Sequence, residues 1–551
     1  MKLKFLGKSI LVVFALFASY SCNNLDLHYE GEKTDDQQNV ETVAAIPERA
    51  NAKLNGMYAL LGTPYVYFGS ASGRADDMGY TSACMGQDMN SGDMTNIVSG
   101  YDWFSVALEY TDRTPTYANP QIRNGLFYKV IYAAKSVLAL IADNTDNAVL
   151  KAKRGQAKAM RAFSYLSLAP YFQFKYVGNE DKLSVPLNLD GIDARNNPRV
   201  PLRQLYEVII QDLTDAIADL NGFVRTNKGA IDKQVAFGLR ARAYLYMEEW
   251  AYAAADADSA LAGYTPYAKN EIQTPGFYNA TDHNWIWGIL IPADLAAQEL
   301  GTWPSQLGSF SGNGYVAYAG IWRSINKILY DKIPATDVRK NWWLDKDTTS
   351  ANLAGLTWTD NAKNITYTGQ QIVGAVISDV KQAMEPYTNI KFGQRSGIGG
   401  AVNDGDWCMM RAEEMIFIKA EAEAKAGDLS AGKQDLENFV KTYRDPAYTS
   451  TASNVAEFEN EVWLQRRVEL WGEGFSMADV MRLGRNVVRY HPTEATNVPE
   501  AYRFNISATD PWLLLRFVQK ETTNNSGVVQ NEGGSEPKSG DGSTLLDGLT
   551  D

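Results

Sequence analysis

Histidine, which serves both as a metal ligand and as a general acid or base, occurs only three times in this 551-residue chain. His28, His283 and His491 lie far apart, and no HExxH or other clustered His/Cys spacing surrounds them. A protein zinc site requires several such ligands brought together, commonly at short fixed spacings. We therefore expect no metal ion and no cofactor.

Two glycine–serine segments resemble the nucleophile elbow of hydrolases but lack its serine. They are GSASG at 69–73 and GSFSG at 308–312, with Ala71 and Phe310 at the central positions. The elbow requires serine there, because its sharp turn exposes the attacking hydroxyl. The chain also has no GxxxxGK[ST] loop to hold phosphates. Neither acyl transfer nor nucleotide chemistry is predicted.

Paired carboxylates are the remaining catalytic candidates, since a glycosidase uses two of them about 5–10 Å apart. Asp76-Asp77 and Glu413-Glu414 are adjacent in sequence. With 65 acidic residues in the chain, some pair always has a suitable spacing. We therefore predict a binding protein and not an enzyme, with a surface glycoside hydrolase as the distant alternative.

Aromatic residues are abundant, with 13 Trp, 30 Tyr and 20 Phe. Burial is the default role of such rings, but exposed rings can stack on the C–H faces of sugars. The net charge of −13 opposes the binding of nucleic acid and of anionic lipid head groups. The composition is therefore compatible with carbohydrate binding and excludes nucleic acid as an expected partner.

The N-terminus has the layout of a secretory signal peptide, with three lysines ahead of the short apolar run 9–18. This run is well below the roughly 20 residues that span a bilayer. Cys22 follows a small residue, as in the lipobox of bacterial lipoproteins. We predict a signal peptide at 1–21 and a lipid on Cys22, with an ordinary secreted protein as the alternative. Cys84 and Cys408 then remain for a disulfide, and the sequence leaves their pairing open.

Polar segments at both ends frame one long domain. Residues 22–45 are acidic and are expected to form a flexible lipidated tether. The tail 524–551 is rich in Gly, Ser and Asp and is also expected to be flexible. Between them, residues 46–523 are predicted to form a single domain.

Helical spacing of apolar residues dominates that domain. Residues 123–141, 154–172 and 203–221 repeat apolar side chains every three or four positions. Two further segments, 235–262 and 411–441, each read as helix, turn and helix, which is the unit of tetratricopeptide-like repeats. Residues 263–410 between them are rich in Gly, Asn, Asp, Tyr and Trp. We predict a mostly α-helical repeat scaffold with a long loop-rich insertion that carries the function.

Five segments of the chain carry a resemblance to a known family. They are CNNLDL at 22–27, RGQAKAMRAFSYLSLAPYF at 154–172, WCMMRAEEMIFIKAEAEAKAG at 407–427, LQRRVELWGEGFSMADVMRLG at 464–484 and LLLRFVQKETTNNSGVVQN at 513–531. With these segments the chain resembles the SusD/RagB family of Bacteroidetes surface lipoproteins over nearly its whole length.

The segment at 464–484 matches the family most strongly and has the composition of scaffolding. Arg466 and Glu469 are three residues apart on a predicted helix, and Asp479 and Arg482 repeat that spacing. Side chains at this spacing can pair along one helix face. We therefore expect two ion pairs within this segment.

The resemblance implies a role in nutrient capture. A SusD-like lipoprotein covers a SusC-like TonB-dependent transporter at the outer face of the outer membrane. It binds an oligosaccharide, or in some members a peptide, and delivers it to the transporter without a cofactor. Glycan binding is the preferred interpretation, and peptide binding is the alternative.

The resemblance also implies an aromatic platform on loops that project from the repeat frame. Two regions correspond in order along the chain, 76–104 and 301–323. The expected platform consists of Trp103, Trp303, Tyr315, Tyr318 and Trp322, with Tyr315 foremost. Asp102, Asn313 and Arg323 are the expected hydrogen-bond partners of sugar hydroxyls.

Overall fold

The structure is a computed structural model that describes residues 35–100, 102–292, 295, 300–375 and 383–551. The predicted signal peptide, the lipid on Cys22 and the tether up to residue 34 lie outside the described residues. No helix in the described ranges is both long and apolar enough to cross a membrane.

Helices dominate the described chain. In chain order they are α1 Asp35–Ala45, α2 Asn51–Gly62, α3 Tyr80–Asn90, α4 Ser105–Glu109, α5 Ala118–Leu138, α6 Ala148–Phe172, α7 Leu202–Asp219, α8 Lys233–Met247, α9 Trp250–Leu261, α10 Trp303–Leu307, α11 Tyr315–Ala319, α12 Lys327–Tyr330, α13 Gln371–Gly374, α14 Ala412–Lys425, α15 Leu429–Tyr443, α16 Val455–Glu469, α17 Ser476–Leu483 and α18 Gln519–Asn524.

The strands are short and pair in twos. They are β1 Met94–Asn96, β2 Leu183–Pro186, β3 Arg199–Pro201, β4 Trp285–Ile289, β5 Arg323–Ile325, β6 Thr357–Asp360, β7 Ile365–Thr368 and β8 Trp407–Arg411. The antiparallel pairs are β1 with β5, β2 with β3, β4 with β8 and β6 with β7.

The long helices pack in sequence order and form the repeat frame. Helix α6 lies between α5 and α7, and α8 packs on α9. Helix α9 in turn packs on α14, which pairs with α15. The α8–α9 turn places Glu248 in the left-handed region at φ 61°. The predicted repeat scaffold is confirmed, because apolar faces of amphipathic helices are buried only when neighbours stack on them.

Most of the insertion between α9 and α14 is built of loops, short helices and two-stranded pairs, and it has a core of its own. Phe310, Val316, Trp322, Leu344 and Ile390 are all buried in this second core. The main core joins the repeat helices to the other side of the insertion. The insertion is therefore a packed layer whose outer loops are supported from below.

A buried ion network fixes the insertion to the repeat helices. Glu469 at the end of α16 accepts hydrogen bonds from Arg411 at 2.8 Å, Arg444 at 2.7 Å and Arg339 at 3.1 Å. Arg339 belongs to the insertion, Arg411 ends β8 and Arg444 follows α15. Burial alone would raise the pKa of Glu469, but the three guanidiniums outweigh it and hold that pKa well below its usual range.

The ion pairs within 464–484 differ in part from those expected. Arg482 pairs with Asp479 at 2.7 Å, as predicted. Arg466 does not pair with Glu469 but with Asp479, also at 2.7 Å. The prediction for Arg466 was wrong because Glu469 faces arginines that arrive from distant parts of the chain, and helix spacing alone does not show these.

Both terminal segments are more ordered than their composition indicates. Within the expected tether, residues 35–45 form α1, and Val43 is buried in the main core. In the expected flexible tail, Asp547 forms a buried ion pair with Arg467 at 2.9 Å. The side-chain amide of Asn531 donates to the carbonyls of Phe172 and Leu515. The tail lies against the body because its polar groups find buried partners there.

The two cysteines of the described chain are free and buried. Cys84 lies on α3 and Cys408 on β8, and burial raises the pKa of both thiols. The pairing that the sequence left open is therefore not formed.

Candidate ligand-binding surface

Two of the loops predicted to carry the platform emerge from the same end of one strand pair. In the antiparallel β1–β5 pair, Asn96 lies opposite Arg323. The chain leaving β1 after Asn96 therefore neighbours the chain entering β5 before Arg323. The loop that leads to Trp103 and the loop that contains Tyr315 therefore share this end.

Asp102 and Arg323 hold these two loops together. Their side chains form an ion pair at 2.6 Å and both residues are buried. Arg323 also donates to the carbonyl of Gln306 and to Asn96. The structure therefore gives these two predicted polar contacts a positioning role beneath the surface, and their charges are already compensated.

Two of the five predicted platform rings lie in the core. Trp303 is 2% exposed, packs edge-on against Trp407 at 5.3 Å and donates its indole N–H to the carbonyl of Gly405. Trp322 is fully buried and donates to the carbonyl of Ala383. The prediction that both rings are exposed is wrong. The glycine-rich composition of their loops does not show that distant segments of the chain cover each ring.

Tyr315 and Tyr318 lie at the outer face of the insertion on the short helix α11. Tyr318 is 52% exposed and Tyr315 is half-buried. The helix is anchored where the backbone N–H of Tyr315 donates to the hydroxyl of Ser305 at 3.0 Å. Both rings are therefore accessible to solvent, and their role in binding stays a prediction.

The loop before α11 is held by a second glycine-rich segment. The N–H of Gly312 donates to the carbonyl of Gly400, and that of Gly399 donates to the carbonyl of Phe310. A Cβ on Gly312 would lie 2.2 Å from the carbonyl oxygen of Gly399, so only glycine permits this approach. Asn313 follows directly, with its carbonyl accepting from Asn403. The backbone around Asn313 is thus fixed while its side chain stays partly exposed.

A stacked aromatic pair beside this loop was missed by the sequence reasoning. Trp358 and Tyr367 lie opposite each other in the β6–β7 hairpin, with ring centroids 5.3 Å apart and planes at 16°. The Trp358 ring covers Gly399, where a Cβ would lie 2.0 Å from its Nε1 atom. The polar–aromatic alternation of TWTD and ITYT around a four-residue turn was the available signal.

A cation lies between two aromatic rings near the other loop. The guanidinium of Arg74 is 5.0 Å from the centroid of Trp103 and 5.6 Å from that of Phe68. Arg74 also pairs with the buried carboxylate of Asp76 at 2.7 Å. Trp103 is half-buried, so this predicted platform residue retains partial access to solvent. Partly exposed rings with a fixed guanidinium can stack on a ligand and donate hydrogen bonds to it.

No group of three or more His, Cys, Asp or Glu side chains suited to a metal ion occurs within the described ranges. The carboxylates of Glu413 and Glu414 are buried and engaged by arginines, with Glu414 bound to Arg242 and Glu413 to Arg444. Asp77 accepts from the backbone N–H groups of Tyr67 and Phe68. These carboxylates are therefore already bound by arginines or backbone N–H groups. The groups that the loop surface presents are aromatic faces and hydrogen-bonding side chains, which are suited to binding a ligand.

The architecture is similar to that of proteins of known structure. A model of the SusD family matches residues 331–533. The structure of a SusD-like carbohydrate binding protein from Bacteroides vulgatus aligns with a TM-score of 0.69 at 26% identity, covering 87% of this chain and 96% of that chain. SusD superfamily proteins from Bacteroides thetaiotaomicron and Bacteroides fragilis, each 19% identical, align with TM-scores of 0.63 and 0.59. Each covers 88% of this chain, and 99% and 98% of its own.

No curated protein sequence matches the chain. The repeat frame with its packed, loop-bearing insertion is nevertheless that of the SusD-like proteins, a class of helical binding proteins. The match to the family model covers residues 331–533, and the similarity of fold to the SusD-like carbohydrate binding protein extends over 87% of the chain.

Proposed function

We propose that this protein is a cell-surface lipoprotein that captures an oligosaccharide and delivers it to a SusC-like TonB-dependent transporter in the outer membrane. The observation that carries the proposal is the cluster of partly exposed rings on the loops of the insertion, with Tyr318 the most exposed among them. Its similarity to a carbohydrate binding protein over 96% of that protein's length supports a saccharide ligand. The protein binds the ligand by stacking and hydrogen bonding and releases it chemically unaltered.

Replacing Tyr318 with alanine is expected to weaken glycan binding roughly 3–10-fold, which is the effect of losing one stacking ring. The ring is exposed, so the unfolding midpoint should not move. Affinity electrophoresis or a glycan array with the chain from residue 23 onward measures the first effect, and urea denaturation the second. Tyr132→Ala is the matched control, because Tyr132 is 66% exposed on α5, outside the loop surface.

If Tyr318→Ala and Tyr315→Ala both bind a glycan as tightly as the wild type does, the loop surface is not the binding site. Retention of peptides with no retention of any glycan would favour the peptide-binding alternative. Turnover of the bound saccharide would contradict a binding role.

Lipid attachment is tested separately at Cys22. The wild-type chain should incorporate labelled palmitate and partition with the outer membrane, and external protease should reach it on whole cells. Cys22→Ala should abolish labelling and release the protein in soluble form, because a thioether-linked lipid requires the cysteine sulfur. Labelling that persists in Cys22→Ala would contradict the assignment of the anchor.

A further inference from the structure

Beside the loop surface, one aromatic ring lies directly on a helix because a glycine leaves room for it. The ring of Tyr67 packs on α5 at Gly125, where a Cβ would lie 2.0 Å from its Cε2 atom. Gln121, Gly125 and Lys129 follow one another at intervals of four residues and therefore share one face of α5. The Tyr67 ring thus lies between a glutamine and a lysine of the same helix.

Two lysines from different parts of the chain converge on this ring. The ammonium of Lys129 is 5.3 Å from the ring centroid of Tyr67, and that of Lys520 on α18 is 5.9 Å away. Both lysines are exposed, and neither forms an ion pair with a carboxylate of the described residues. Cation–π attraction therefore holds two positive charges near one ring on a protein whose net charge is −13.

The surrounding groups leave these charges available. Lys129 donates one hydrogen bond to the carbonyl of Val66. The buried carboxylate of Asp77 offsets part of the charge of Lys129 but forms no ion pair with it among the described residues. An ammonium has three donors, so an incoming anion still finds donors on both lysines.

An open cleft of about 270 Å³ lies between α18 and the start of α5, and Lys520 is one of its lining residues. Its lining includes Thr116, Gln121, Gln519, Lys520, Thr523 and Asn524. Amides and hydroxyls both donate and accept hydrogen bonds, as the hydroxyls of a saccharide require.

From the lysines, the aromatic side chains continue toward the loop surface. Tyr67 contacts Phe68 edge-on at 4.7 Å, and Arg74 lies between Phe68 and Trp103. We infer that the cleft between α5 and α18 is a second binding site, specific for an acidic saccharide. Its carboxylate or sulfate group is bound by Lys129 and Lys520, and its hydroxyls are bound by the amides and hydroxyls of the cleft. This site uses side chains other than those of α11 and does not depend on the proposed function.

The test measures binding of two acidic probes by calorimetry at low ionic strength, using the chain from residue 23 onward. The probes are a tetrasaccharide of galacturonic acid and a chondroitin sulfate tetrasaccharide. Each is paired with its uncharged form, which is fully methyl-esterified for the first and both desulfated and methyl-esterified for the second. The double variant Lys129→Gln/Lys520→Gln should bind an acidic probe about tenfold more weakly than the wild type. Added salt should weaken wild-type binding in the same direction, because the lysines are exposed.

Lys53→Gln is the matched control, since Lys53 is also exposed and also donates to a backbone carbonyl of a neighbouring segment. It should leave the affinity for the acidic probes unchanged. Gly125→Ala should weaken binding without a change of charge, because the added methyl group displaces Tyr67. The inference is overturned if neither acidic probe binds, or if binding is the same for charged and uncharged forms or in the double lysine variant.

Discussion

Replacing Glu469 with glutamine is expected to lower the free energy of unfolding by about 3–5 kcal/mol at pH 7. The carboxylate is fully buried and is bound by Arg411, Arg444 and Arg339. An amide of the same shape leaves these guanidiniums with one positive charge that no anion compensates. Because the three arginines come from β8, from the end of α15 and from the insertion, the loss affects the attachment of the insertion to the frame.

Urea denaturation followed by circular dichroism measures this effect, since urea does not screen charges. Glu457→Gln is the control on the same helix, because Glu457 is exposed and its loss should shift the midpoint only slightly. Equal midpoints for Glu469→Gln and the wild type would show that the network contributes nothing to stability.

The same network has a defined pH dependence. The arginines hold the pKa of Glu469 below its unfolded value, although burial alone would raise it. A lowered pKa in the folded state means that the stabilisation is complete above the unfolded pKa and is lost as the pH falls through the folded one. The difference between wild type and Glu469→Gln should therefore be full at pH 7 and shrink only in acid below the ordinary glutamate range.

Replacing Trp303 with alanine is expected to destabilise the protein by about 3–5 kcal/mol, as for other buried large aromatic side chains. The indole packs against Trp407 and Phe392 and donates to the carbonyl of Gly405. Alanine leaves a cavity and an unpaired carbonyl in the layer that supports the loop surface. Glycan binding should weaken only to the extent that this layer is disrupted.

Trp303→Phe is the second variant for this test, because it retains a ring and loses mainly the hydrogen bond. It should recover much of the stability, and glycan affinity should follow stability across the two variants. Tyr318→Ala should show the opposite pattern, with weaker binding and an unchanged midpoint. If Trp303→Ala were as stable as the wild type and yet lost binding, the ring would be a ligand contact and its burial here would be contradicted.

Local patterns predicted the frame well. The apolar spacing at 123–141, 154–172 and 203–221 corresponds to α5, α6 and α7, with ends displaced by a few residues. Apolar spacing forces a helix to bury one face, so its existence can be read from a single segment. The helix–turn–helix units at 235–262 and 411–441 were likewise correct, as α8 with α9 and α14 with α15.

The candidate surface was only partly predictable. Tyr315, Tyr318 and Trp103 are at least partly exposed, and their contact with a ligand stays a prediction. Trp358 and Tyr367 were missed, since a short hairpin inside a loop-rich segment gives a weak signal. Residues 35–45 and 524–551 look flexible by composition. In the structure, however, Val43 is buried in the main core, and Asp547 and Asn531 bind partners elsewhere in the chain.

The sequence by itself determined the helical frame of this protein and its resemblance to SusD-like proteins, because both depend on patterns within continuous segments. The tertiary structure alone decided which aromatic rings reach solvent and which charges pair. Trp303 and Tyr315 stand in similar glycine-rich surroundings, but only Trp303 is covered by residues about 100 positions further along the chain. Glu469 likewise has an arginine three residues away and binds three others instead. Exposure and pairing depend on which distant surfaces meet, and no local spacing contains that information.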